Sequence, residues 1–142
     1  MELGRSEIDD LIPHAGAMVL LDAIASWDAS QIRCRATSHT KADHPLAVGG
    51  VLPTLCGLEY AAQAMALHGR LAGVVGTRPR KGYIASVRNL VWHTERLDTL
   101  PSPLLIEAEL MAKDGGAVIY RFAVSAEGVD VLTGRATVLL EG

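Results

Sequence analysis

Leu52–Ala64 reads LPTLCGLEYAAQA. The stretch is almost wholly apolar, yet it holds one carboxylate, Glu59, and one amide, Gln63. Leu55, Leu58, Ala62, Met65 and Ala66 recur at spacings of three and four, the period of one helix face. Pro53 suits the start of a helix and Gly73 its end, so the pattern predicts one long helix from about Thr54 to Gly73. Everything else reads as strands and turns. Ser6–Leu11 makes a short helical turn before Pro13. Met18–Ser26 and Gln31–Ser38 read as strands, the second through alternating Ile32, Cys34 and Ala36. Residues 39–53 are broken by Pro45, Gly49, Gly50 and Pro53. Four strands follow, roughly 82–93, 103–113, 116–127 and 129–140, read as a meander with KDGG and AEGVD as hairpin turns. A lone apolar helix cannot be solvated on most of its faces, so the sheet is expected to wrap it: an α+β fold.

Composition narrows the function. The chain has 142 residues, which suits one domain, 1–142. It is 49% hydrophobic and 20% charged, enough for a core. A net charge of −3 gives no reason to expect nucleic acid, and no apolar run has the ~18 residues of a membrane span. The acidic, polar MELGRSEIDD is unlike a secretory signal. Cys34 and Cys56 make no disulfide framework, so a reducing cytoplasm is expected.

An ionised carboxylate in apolar surroundings is costly unless paired. Either the Glu59 stripe faces solvent, or Gln63 satisfies it, or burial keeps the carboxyl protonated and able to deliver that proton as a general acid. An acid needs a base. His44 sits in ADHPLAVGGVLP, the breaker-rich loop that enters the helix. The first helical turn adds unpaired N–H groups near Thr54 and Leu55, suited to an oxyanion.

His44–Ala64, HPLAVGGVLPTLCGLEYAAQA, resembles the active-site segment of the β-hydroxyacyl-[acyl-carrier-protein] dehydratases, which are hotdog-fold enzymes. Their segment reads His-Phe-Pro-Gly, then Phe-Pro-Gly, then Leu-Glu-Ala-Met-Ala-Gln-Ala. Leu11–Ile24, LIPHAGAMVLLDAI, is similar to their N-terminal Leu-Pro-His block. Within the family, EYAAQAMA…HG (Glu59 to Gly69) is similar to the short dehydratases of aryl-polyene-type gene clusters. Three departures stand out. Pro45-Leu46-Ala47 follows the histidine, one extra residue precedes Pro53, and Thr54 replaces a glycine.

The resemblance implies a hotdog fold, with an antiparallel sheet wrapped around one central helix. It implies dehydration of 3-hydroxyacyl-carrier-protein thioesters to trans-2-enoyl thioesters, in fatty-acid or polyene synthesis. His44 would be the base and Glu59 the acid. A backbone N–H at Thr54 or Leu55 would polarise the thioester, with Gln63 beside the substrate. The paired groups come from opposite subunits, so a homodimer is implied. A non-catalytic subunit partnering an active dehydratase is the alternative, and an acyl thioesterase a weaker one. No cofactor is implied beyond the phosphopantetheine of an acyl carrier protein, whose acidic surface would meet Arg78, Arg80 and Lys81; Arg88 and Arg96 are weaker candidates for that patch. His39 is the rival base. With Asp43 and His44 it falls short of a metal set, so no metal is expected. His14 is expected to fix a turn, His68 to suit the helix dipole, and Cys56 to be a small core residue.

Overall fold

A computed structural model describes residues 2–12, 18–73 and 82–140. Helix α1 is Arg5–Leu11, and strands β1 and β2 are Ala23–Trp27 and Gln31–Ala36. A 3-10 turn at Ser38–Thr40 follows; a second, Thr54–Cys56, opens helix α2, Gly57–Leu71. The remaining strands are β3 Gly82–Trp92, β4 Leu104–Asp114, β5 Ala117–Ala126 and β6 Val129–Leu140. They form one antiparallel sheet in the order β1-β2-β4-β5-β6-β3, and α2 packs against β2, β4 and β5. This is the expected helix wrapped by a sheet.

Period-two alternation sets the inner face. Cys34, Ile106, Val124 and Leu132 stand in register across four strands, and Ile32, Ala108, Phe122 and Gly134 form the next row. Gly134 leaves the space that Phe122 fills, since a Cβ there would lie 2.9 Å from its ring. Gly57 does the same for the helix start: its Cβ would lie 2.8 Å from Leu132. In the β5–β6 hairpin, Glu127 (φ 52) and Gly128 (φ 77) are both left-handed, as a two-residue type I′ turn requires.

Three expectations change. The meander holds only for β4, β5 and β6. Strand β3 crosses to the far side and pairs with β6, making it an eleven-residue edge strand. The first strand begins at Ala23, not Met18; Val19, Leu20 and Leu21 are buried but stand outside the ladder. The second strand stops at Ala36, because Thr37 (φ −124, ψ −1) turns the chain into the first 3-10 turn.

Candidate active site

Helix α2 divides the residues that the sequence brings together. Tyr60, Ala61, Gln63, Ala64 and Leu67 are fully buried against the sheet. The other side carries Leu55, Glu59, Ala62, Ala66 and Arg70, spaced at helical intervals and half-buried or exposed. Glu59 is therefore on the stripe turned away from its own sheet, half-buried beside Cys56, whose thiol is pushed up first by burial and then by the Glu59 charge. That direction is opposite to thiol activation.

Gln63 has a different task from the one expected. Its Oε1 accepts from the Leu20 N–H at 2.9 Å and its Nε2 donates to the Met18 carbonyl at 2.7 Å. It is fully buried and replaces a missing ladder for the 18–20 segment, so it is a fastener rather than a substrate contact.

His44 is buried, 5% exposed, and both of its nitrogens are taken. The Leu46 N–H donates to Nδ1 at 3.0 Å, and Nε2 lies 3.0 Å from Tyr60 Oη. Tyr60 Oη is 2.8 Å from Ser38 Oγ, which donates to the Leu20 carbonyl at 2.8 Å. Burial pushes the Tyr60 phenol up to about 12, so it keeps its proton. His44 is held below its usual range, first by burial and then by the nearby His39 and Lys41 charges. The loop thus seats the imidazole against α2, one residue from the acid, facing into its own chain. The expected free base is not what stands there.

The oxyanion expectation also narrows. The Thr54 N–H donates to the Glu95 carbonyl at 3.0 Å and that of Cys56 to Pro53 at 3.0 Å, so Leu55 keeps the uncommitted first-turn N–H among the described residues. The Thr54 hydroxyl is buried without a partner there. His39 donates Nε2–H to the Leu100 carbonyl at 3.0 Å; its Nδ1 is buried and unpartnered among the described residues. Arg96 is spent on Asp98, with Nη2–Oδ2 2.5 Å, and Asp98 also takes the Leu52 N–H at 2.9 Å. Arg78, Arg80, Lys81 and His14 lie outside the described residues. Among the described residues no three His, Cys, Asp or Glu side chains are grouped to hold a metal, and no helix is long and apolar enough to cross a membrane.

His68 departs from its expectation as a charged dipole partner. It is fully buried, its Nε2–H donates to the Asp28 carbonyl at 2.9 Å, and its Nδ1 accepts from Tyr120 Oη at 2.7 Å. The sequence reading did not single out Tyr60 and Ser38, which link His44 to the Leu20 carbonyl; the buried helix face on which Tyr60 stands also carries Gln63 and His68.

A family model described as ApeP-like, ApeP dehydratase, matches residues 6–141. The dehydratase heterocomplex ApeI:P from Xenorhabdus doucetiae contains a chain with the same fold, at 21% identity and TM-score 0.82, covering 95% of this chain and 91% of that one. A putative thioesterase from Silicibacter sp. (15% identity, TM-score 0.67, 96% and 88% covered) shares it too. So does the Escherichia coli PaaI protein of the phenylacetic acid degradation operon (14%, 0.67, 94% and 90%). These likenesses are of fold. No curated protein matches the chain.

Proposed function

The chain belongs to the ApeP-like dehydratase family, and from that premise we propose that its substrates are 3-hydroxyacyl thioesters carried on the phosphopantetheine of an acyl carrier protein. The products are trans-2-enoyl thioesters and water. The observation that carries the reading is the seat of the acid. Glu59 stands half-buried between Leu55 and Ala62 on a helix stripe that its own sheet leaves uncovered. A second subunit laid over that stripe would close the carboxyl off from bulk water and set it against a substrate bound between the subunits, where a general acid has to stand.

The place for that subunit is supported by β3. Its outer edge is long and pairs with no strand among the described residues, and Tyr83, Val91 and Trp92 on it are 56%, 45% and 55% exposed. Leu55, at the start of the helix stripe, is 53% exposed. Unpaired edges of this length with apolar side chains invite another strand. The Xenorhabdus doucetiae protein is a dehydratase heterocomplex, and we carry that pairing over: the partner is a second hotdog dehydratase subunit, with a homodimer as the competing arrangement. Arg78, Arg80 and Lys81 are the proposed meeting point with the carrier protein, on charge alone.

The test is direct. The purified assembly is given 3-hydroxyoctanoyl carrier protein, and loss of water is followed by mass spectrometry. Glu59→Gln is expected to lower kcat by at least ~100-fold, the usual scale for a general acid. Turnover unchanged by that substitution contradicts the reading.

A further inference from the structure

Removal of the α-proton needs an imidazole nitrogen with a free lone pair at the substrate. The hydrogen-bond chain through His44 fixes whether it has one, and it can be counted from either end. At one end the Leu20 carbonyl only accepts, so the single Ser38 hydroxyl proton points to it. Ser38 then has none for Tyr60, so Tyr60 gives its proton to Ser38. Tyr60 in turn has none for His44, so the proton between them belongs to His44 Nε2. At the other end the Leu46 N–H only donates, so Nδ1 carries the lone pair. Both counts give the same neutral ring: Nε2–H donates to Tyr60 and Nδ1 accepts from Leu46. An imidazolium would set a second N–H against that of Leu46. His39 does hold a bare Nδ1, but that atom is sealed inside its own chain, the residue being 1% exposed.

We infer that this chain supplies the acid of the dehydratase and not its base: Glu59 completes a site whose histidine belongs to the partner subunit, while Ser38 and Tyr60 hold His44 as a hydrogen-bond donor in a silent site. The inference rests on the dehydratase reading above and divides its labour. In the productive site the partner's imidazole takes the α-proton. The Cα–H electron pair becomes the Cα=Cβ bond, the Cβ–O bond breaks, and the Glu59 carboxyl proton joins the leaving hydroxyl as water. Glu59 ends as carboxylate and the base as imidazolium, and exchange with solvent restores both.

Glutamine is the informative replacement for His44, because its amide offers an NH2 donor group and a carbonyl acceptor but no basic nitrogen. In the complex with its partner subunit, with 3-hydroxyoctanoyl carrier protein, His44→Gln and His39→Gln are expected to keep kcat within threefold while Glu59→Gln loses at least ~100-fold. A loss of ~100-fold in either histidine variant, with the complex still assembled, overturns the inference. A second arm needs no variant: the unmodified chain paired only with itself has no base and is expected to show no turnover. Turnover there also overturns it. No turnover by the intact complex is a different outcome, since it sinks the substrate reading itself and the inference with it.

Discussion

Two histidine–tyrosine pairs stand on opposite parts of helix α2, and they are wired in opposite senses. His68 lies fully buried near the end of the helix, with Tyr120 of β5 at 2.7 Å and the rings edge to face at 89°. His44 meets Tyr60 at 3.0 Å near the start, with the rings tilted by 31°. Both imidazoles carry their proton on Nε2. For His68 that proton goes to the Asp28 carbonyl, and the bare Nδ1 accepts from the tyrosine. For His44 the proton goes to the tyrosine, and the bare Nδ1 is closed by a backbone N–H. A histidine's chemistry is thus decided by what stands behind it. A carbonyl on one nitrogen frees the lone pair of the other, and an amide N–H on one nitrogen turns the other into a donor.

The largest expected effect breaks the deeper pair. His68→Ala removes a fully buried ring and strands both the Tyr120 hydroxyl and the Asp28 carbonyl, so urea unfolding is expected to show a loss of about 3 kcal/mol or more. Gln63→Leu is next, at about 2 kcal/mol. It leaves the Leu20 N–H and Met18 carbonyl without partners and loosens the segment on which the His44 chain ends. A near-native stability would show that the 18–20 segment is held by packing alone. Tyr60→Phe and Tyr120→Phe are each expected to cost about 1 to 2 kcal/mol, since each leaves a buried nitrogen unpaired.

A pH titration of stability sharpens the comparison with the smallest signal. Burial lowers both His44 and His68 below their ordinary 6.5. The unfolded chain therefore binds the proton more readily than the fold. The stabilisation is complete above about pH 6.5 and drains as the pH falls toward the folded-state values. His68→Gln is expected to flatten that slope more than His44→Gln, because His68 is the more deeply buried of the two. Equal slopes in the two variants would remove the distinction.

The architecture was legible where local chemistry decides it. The three-and-four spacing from Leu55 to Ala66 marked the helix, and AEGVD marked a turn whose Glu127 and Gly128 are both left-handed. What was illegible depends on partners far along the chain. VLLDA has the composition of a strand, but Gln63, more than forty residues away, is its hydrogen-bond partner. The crossing of β3 to the outside of β6 leaves no trace in β3 itself. At the site, the sequence placed His44 and Glu59 near the helix start, and only the resemblance named them base and acid, with His39 as the rival base. It could not show that Tyr60, the residue after the acid, faces the other way along the helix and stands 3.0 Å from the imidazole Nε2 as its hydrogen-bond partner.

The most direct test is to read the protons themselves. Long-range ¹H–¹⁵N correlation of the imidazole side chains, in the assembled complex at neutral pH, separates a protonated ring nitrogen from a bare one. The expected result is a protonated Nε2 and a bare Nδ1 for His44, with the same pattern for His68. A His44 ring with its lone pair on Nε2 would contradict it, and would return the base to this chain.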